Sequence, residues 1–447
     1  MSTAAITPNI AAGFGTRNYR AYALSALMVI YVFEVIDRIF LSLVQEKVRA
    51  ELGLSDFQLG LLSGPGFVLL YVLCTIPIAH LAERHNRIAI IATGAAVWSA
   101  ATAACGLATT FAQLFLARMF VGIGEAACLP PSHSTISDYF PPAKRGSALA
   151  LFSLAIPIGI VAAAFGGGWL VQRFSWRSAF FLLGGLGIAA AVLLKLTVKD
   201  PPRSGSRDDA PHFIEGLRAL AAKPTYRHAV AGGALASIFG FSVTNFFVSY
   251  TVREYGLDIG SASFAFGVLF GFAVAIGIFL GGFLCDHLQA RIPQIAGWLP
   301  AVSLLIAVPL YLAAFHQASY NMAFALFFVA LIFHYMFNAP MFTIGQQVAG
   351  PRNRATASAV MMLALTLVGF GLGPPLVGAI ADHFNAQFAL ANGVTLARCK
   401  ASPQLAACAK VSGYGLKTGL SIELVFFVWA GFHFWLAGRT YAKDRHE

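Results

Sequence analysis

Long apolar runs separated by short polar connections fill this chain from residue 21 onward. Each run is at least about 20 residues long, the length one helix needs to cross a bilayer. Twelve spans are predicted, at 21–45, 57–83, 87–110, 112–138, 144–172, 176–198, 225–254, 260–288, 290–316, 318–349, 353–385 and 416–442. All should be helices, because open strand edges and irregular backbone cannot face lipid. Prolines inside the runs (Pro65, Pro77, Pro130, Pro131, Pro157, Pro340 and Pro374) predict kinks rather than ends. The expected fold class is therefore an all-α membrane protein with twelve transmembrane helices.

Composition agrees. Of 447 residues, 58% are hydrophobic and 11% charged, with a mean hydropathy of +0.73. A soluble domain carries about 25% charged residues. The charges are too few to cover a water-exposed surface of this size, which excludes a soluble enzyme and a disordered chain. The net charge is +11, but the charges lie between apolar runs, so they bear on orientation rather than on nucleic acid. One set of alternate loops with the two ends carries 19 Lys/Arg and the opposite set 9, with Arg38 and Arg118 inside spans. The positive-inside rule places both termini in the cytoplasm. No cleaved signal is expected, since the first twenty residues are polar and Gly/Ala-rich.

The longest cytoplasmic connection, 199–224, contains Asp200, Pro201, Pro202, Arg203, Arg207, Asp208 and Asp209. It divides the chain into an N-terminal six-helix half, 1–198, and a C-terminal half, 225–447. Phe213 to Ala222 has the pattern of a short amphipathic helix on the membrane surface. The halves share features. Glu83-Arg84-His85-Asn86-Arg87 joins spans 2 and 3, and Asp286 to Arg291 joins spans 8 and 9, each with an acid closing one helix and a base before the next. Span 5 begins Lys144-Arg145-Gly146-Ser147-Ala148, and span 11 begins Asn353-Arg354-Ala355-Thr356-Ala357. Span 5 continues to Gly166-Gly167-Gly168, span 11 to Gly371, Gly373, Pro374 and Pro375. Such matches in register imply duplicated halves and an alternating-access transporter with its site near mid-membrane.

The loop Ala79-His80-Leu81-Ala82-Glu83-Arg84-His85-Asn86-Arg87 resembles the loop motif of the major facilitator superfamily, with Ala79 and Asn86 in place of its glycines and Glu83 in place of its Asp. Arg118-Met119-Phe120-Val121-Gly122-Ile123-Gly124-Glu125 resembles that superfamily's Arg-x-x-x-Gly-x-Gly motif. The continuation through Ala126, Ile136-Ser137-Asp138-Tyr139-Phe140 and Arg145-Gly146-Ser147-Ala148-Leu149-Ala150, with Asp37-Arg38 in span 1, is similar to the spinster family. The resemblance implies the major facilitator fold and a proton-coupled carrier of lipids such as sphingosine phosphate or lysophospholipids. It also implies that Glu83, Arg84, Arg87, Asp138, Arg145 and Asp286 form a cytoplasmic charge-relay gate; solvated loop charges are the alternative.

Charges inside spans are expensive, about 2.5–3.5 kcal/mol each at a helix centre on insertion scales. Glu34, Asp37 and Arg38 lie three and four apart on span 1, near one face. Arg118 and Glu125 lie two turns apart on span 4. The resemblance implies that spans 1 and 4 are neighbours lining the cavity, so one cluster of Asp37, Arg38, Arg118 and Glu125 is expected. Asp37 and Glu125 are the candidate proton carriers, since a carboxylate in a partly dry cavity holds its proton more readily and a nearby guanidinium opposes this. Arg38 and Arg118 are their partners or ligands for a phosphate head group, with Glu34 as a further charge partner. A static salt-bridge network is the alternative.

Other candidates are His133 in span 4, a proton relay or a hydrogen-bonded core histidine. Thr244 and Asn245 in span 7 and His334 and Asn338 in span 10 are cavity-lining groups or ordinary packing polars. Cys74, Cys105, Cys128 and Cys285 read as small buried hydrophobes, and Cys399 with Cys408 could be bridged. No metal spacing or Walker motif occurs, so no cofactor is expected. The absence of an Asn-x-Ser/Thr sequon favours a bacterial plasma membrane. The partners expected are protons, membrane lipids and an amphipathic anionic lipid substrate, carried by a monomer; nucleic acid is not expected. A small organic anion or drug-like compound is the alternative substrate. A membrane-embedded enzyme using His133 and Asp138 fits the repeat less well.

Overall fold

The computed structural model describes residues 14–203, 213–393, 395 and 406–445. Helix α1 spans Arg17–Leu52. Eleven further helical stretches among the described residues are long and apolar enough to cross a membrane. They are α2 Asp56–Arg84, α3 Arg87–Cys105, α4 Phe111–Tyr139, α5 Pro142–Arg173, α6 Trp176–Thr197, α7 Pro224–Tyr255, α8 Ile259–Gln289, α9 Ile295–Phe315, α10 Tyr320–Gly350, α11 Thr356–Ala391 and α12 Lys410–Asp444. With α1, which carries more charge, the twelve predicted spans are accounted for. Phe213–Ala221 forms the short extra helix expected in the linker. Cys399 and Cys408 lie outside the residues whose side chains are described.

Local chemistry sets the ends of these helices. The Ser55 hydroxyl accepts from the Gln58 amide and the Gln58 side chain accepts from the Ser55 amide, a capping box that starts α2. Asn86 Oδ1 accepts from the Ala89 amide at 2.7 Å and starts α3. Asp258 starts α8 by accepting from the Ser261 amide and hydroxyl, which holds its carboxyl below the usual carboxylate range. Three spans carry a π-helical turn, at Ala163–Gly167 in α5, Leu269–Ala273 in α8 and Leu365–Phe370 in α11. The α4 helix breaks at Ala126–Cys128 ahead of Pro130 and Pro131, and Gly350, at φ 70°, ends α10.

The chain divides into two compact units. One consists of the described parts of Met1–Ile39, Leu69–Ala163 and Phe174–Asp209. Within it α3 packs on α4 and on α6. The other consists of the described parts of Phe40–Val68, Ala164–Arg173 and Ala210–Glu447. Here α12 packs against α7, α9 and α11, and the start of α2 packs against α11. Outward faces of several spans are rows of exposed Leu, Phe and Trp, among them Leu193, Leu196, Phe279 and Trp429. Such rows suit contact with hydrocarbon.

Candidate functional site

In the first unit α1 and α4 bury four charged side chains and hold a fifth, Arg38, beside them. Glu34 and Arg118 are 0% exposed, Glu125 1% and Asp37 4%, while the Arg38 side chain keeps 27% exposure. Arg38 Nη2 donates to Glu34 Oε1 at 2.6 Å and to Glu125 Oε2 at 2.7 Å, and Arg38 Nε donates to the same Glu125 oxygen at 3.2 Å. The guanidinium also lies over the Tyr71 ring, 5.4 Å from its centroid. Two carboxylates therefore share one cation. Glu34 Oε2 and Glu125 Oε1 have no hydrogen-bond partner among the described residues, and the Cys128 thiol interacts with Glu34.

The second half of the cluster is Asp37. Its Oδ2 accepts from the Thr102 hydroxyl, and the Arg118 charge acts on it. Asp37 lines a cavity of about 10 Å³ with Phe33, Trp98, Ser99 and Gly187, room for one water. The expected four-residue cluster thus resolves into Arg38 with Glu34 and Glu125, and Asp37 with Thr102 near Arg118. Glu34 is a direct ligand of Arg38. Local sequence explains how α4 comes so close to α3: a Cβ on Gly124 would meet the Trp98 amide nitrogen at 2.5 Å and Gly94 O at 2.7 Å. Only glycine fits beside Glu125 at this crossing.

The gate residues separate into two groups. Arg87 is buried and ties three segments together: Nε donates to Asp200 Oδ1 at 2.8 Å, Nη1 to Asp138 and to Ser134 Oγ, and Nη2 to Pro201 O at 2.6 Å. Arg145 Nε donates to Phe140 O at 3.2 Å. Glu83, Arg84 and Asp286 are exposed, and the backbone of Glu83 accepts from Arg203. Asp286 makes no ion pair among the described residues.

His133 is exposed, its ring edge-on to Phe152 with centroids 5.6 Å apart, and the ring has no hydrogen bond among the described residues. His334 is buried, bonded to Tyr311 Oη at 3.1 Å and packed by Phe239 and Phe427. It sits among aromatic rings, with its bond to Tyr311. Thr244 donates back to Gly240 O at 2.7 Å. Asn245 is buried with Nδ2 unpartnered among the described residues, and Asn338 is half-buried. Cys105, Cys128 and Cys285 are buried and Cys74 half-buried.

One network was not foreseen. In the second unit Arg253 of α7 donates from Nη1 and Nη2 to the two Asp56 oxygens at 2.9 and 2.8 Å, and from Nη2 and Nε to Glu46 Oε1 at 2.6 and 3.0 Å. Asn385 Nδ2 donates to Asp56 at 3.2 Å, and the Asp382 carboxylate accepts from the Asp56 and Phe57 amides at 3.0 and 2.9 Å. Gln45 Nε2 donates to Asn245 O and Ser249 Oγ. Beside these groups α2 and α11 touch backbone to backbone, since a Cβ on Gly60 would lie 2.3 Å from Pro374 O and one on Gly378 2.2 Å from Asp56 O.

Spanning helices that bury clustered ionisable groups in their apolar length define a polytopic membrane transporter. The chain belongs to the Major Facilitator Superfamily, whose family model matches residues 24–374, and within it to the spinster type. It is 35% identical to a bacterial homologue of the human lysosomal transporter Spinster, solved in an inward-facing and unoccupied conformation, with a TM-score of 0.89 over 97% of this chain and 100% of that one. It is 30% identical to an MFS-type efflux pump of Mycolicibacterium smegmatis over 80% of this chain and 84% of that protein. It is 28% identical to Protein spinster of Drosophila melanogaster over 85% of this chain and 64% of that protein.

Proposed function

We propose that this transporter is proton-coupled and moves an amphipathic anionic lipid, of the sphingosine phosphate or lysophospholipid type, by alternating access. The observation that carries the proton part is the charge balance of the buried cluster. Glu34, Asp37 and Glu125 face Arg38 and Arg118, so full ionisation leaves one negative charge in excess. A bound proton neutralises that excess, and a group that must be neutral when buried and is free to ionise when wetted serves as a coupling site. Glu125 and Asp37 are the proton carriers in this reading. Arg38, partly exposed, and Arg118 offer fixed positive charge to a phosphate head group.

The lipid part is supported by the spinster relatives and by an open groove of about 690 Å³ in the second unit. Phe165, Trp169, Phe264 and Phe324 line it, with Gln172 and Asn321 among its polar groups. Aromatic walls with polar tips suit an acyl chain carrying a head group. A second reading is carriage of a small organic anion or drug-like compound, and the relative named as an efflux pump fits outward movement in either reading. The Lys/Arg asymmetry supports cytoplasmic termini, and the absence of an Asn-x-Ser/Thr sequon favours a bacterial plasma membrane. The gate role of Arg87, Asp138 and Arg145 and the division into six-helix halves belong to the same proposal.

The test is uptake into proteoliposomes with an imposed pH gradient, screened over lysolipids, sphingosine phosphate, short organic acids and cationic dyes. Glu125→Gln should abolish proton-driven uptake while leaving the thermal unfolding midpoint of the purified protein in place. Unchanged pH-dependent transport by this variant would remove Glu125 from the mechanism. Uptake of short acids or dyes alone would favour the second reading.

A further inference from the structure

Glu423 is an acid that the cluster above does not use. It is 0% exposed and lies about a third of the way along α12, far from both ends of the span. Neither carboxylate oxygen has a hydrogen-bond partner within normal geometry among the described residues. The polar groups that act on it are the Ser242 hydroxyl of α7 and the Val377 amide of α11, and among the described residues no cation does.

The ionisable groups on the helices packed against this stretch are engaged elsewhere. Arg253 holds Glu46 and Asp56, and Glu254 holds Lys417. Asp382 accepts from the start of α2, His383 meets Gln387, and Tyr311 meets His334. The helices come backbone to backbone around this stretch. A Cβ on Gly373 would meet Ile238 O at 2.3 Å and Ser242 Oγ at 2.7 Å, and one on Gly419 would meet Val377 O at 3.0 Å. A buried ionised carboxylate with no cation beside it is costly at such a place. A protonated one is not: Ser242 Oγ gives its own proton to Ile238 O at 2.9 Å, so its lone pairs are open to a carboxyl proton.

We propose that Glu423 is a second proton-binding site of the carrier, on its C-terminal half, loaded in this conformation and emptied when α11 shifts against α7 and α12. The site is sealed by a deformable stretch. In α11 the π turn at Leu365–Phe370 is followed by Pro374 and Pro375, which have no amide to donate. At the start of the π turn the Leu365 carbonyl accepts from Ser237 Oγ at 3.1 Å, on the same α7 segment as Ser242. Span α12 is itself interrupted at Leu424, immediately after the acid. Helix defects of this kind in a membrane are held by neighbours and are places where a span bends.

This inference rests on the proton-coupled reading but not on Glu125 as the carrier, and the experiment separates the two. Infrared spectra of the purified protein at neutral pH are compared between the native chain, Glu423→Gln and Glu423→Asp, alongside charge moved per substrate in proteoliposomes. The expected result is loss of a protonated-carboxyl C=O band in Glu423→Gln, with substrate uptake retained and one fewer proton carried per substrate. Glu423→Asp keeps the band and the native ratio. A band unchanged by Glu423→Gln, or a band lost with the proton-to-substrate ratio unchanged, overturns the proposal. Loss of coupling in Glu423→Gln with none in Glu125→Gln would instead overturn the role given to Glu125.

Discussion

Replacing Arg253 by methionine keeps an aliphatic stem and removes a guanidinium that meets two carboxylates. Its fork to Asp56 is bidentate, at 2.8 and 2.9 Å, and it reaches Glu46 at 2.6 and 3.0 Å. The Arg253 and Asp56 side chains are 3% and 0% exposed. Each pair gains about 4 kcal/mol at 4 Å under an effective dielectric of 20, and desolvation of the ions takes back several kcal/mol. The decisive quantity is what the truncation leaves. Asp56 would stay buried, with Arg49 Nε at 3.6 Å as its remaining ion-pair partner. Removing one partner of a buried pair typically destabilises by about 3–5 kcal/mol, and that loss is expected for Arg253→Met. Asp56→Asn leaves Arg253 on Glu46 and should lose less. The double variant should fall short of the summed losses by roughly 2 kcal/mol, the mark of residues acting as a unit. Reversible denaturant unfolding in mixed micelles, followed by tryptophan fluorescence, measures all four corners of the cycle. Losses that add to within about 0.5 kcal/mol would refute the network as a unit and leave each contact a local one.

Three further outcomes follow from the geometry. Arg118→Ala should weaken binding of phosphate-bearing lipids more than of neutral analogues, read by ligand-induced thermal stabilisation; equal loss for both would count against head-group recognition. Gly378→Leu puts side-chain atoms where Asp56 O lies 2.2 Å from the first carbon, so α2 must leave α11; transport should stop and unfolding should begin at lower denaturant, and native behaviour would show that the contact yields cheaply. Asp258 holds the first turn of α8, and its folded pKa lies below the unfolded one. Its stabilisation is therefore present above the unfolded value, about pH 4, and lost as pH falls through the folded value. Asp258→Ala should speed hydrogen exchange of the Ser261 amide at neutral pH, with the difference shrinking in acid; a pH-independent difference would remove the carboxylate from the cap.

Much of this architecture was legible in the sequence because hydrocarbon enforces it. The predicted spans match the helices closely, since each boundary is a change from apolar to polar residues. The larger departures are α1, which continues to Leu52, α11, which runs on to Ala391, and the last span, whose helix already begins at Ala406; the polar turn from Gln45 to Arg49 reads as a loop until its partners on α7 are seen. The acids and bases of α1 and α4 stood out because charges are rare inside apolar runs. Glu46, Asp56 and Arg253 did not, because they lie at span ends where charge is ordinary, and their partners are far away in sequence. Glu423 carries the same signal as Glu125, an acid inside a predicted span, but no neighbouring motif marks it. The π turns left no trace in composition.

Those three π turns have a consequence for how such a chain changes length. Each widened turn holds one residue more than a regular turn would, bounded on both sides by ordinary α-helix. Deleting a single residue there would restore a straight rod and keep the faces above and below aligned, whereas the same deletion elsewhere in α5, α8 or α11 would rotate everything downstream by about 100°. These are the points at which evolution, or an engineer, can trim a membrane helix without scrambling which side looks at lipid and which at protein.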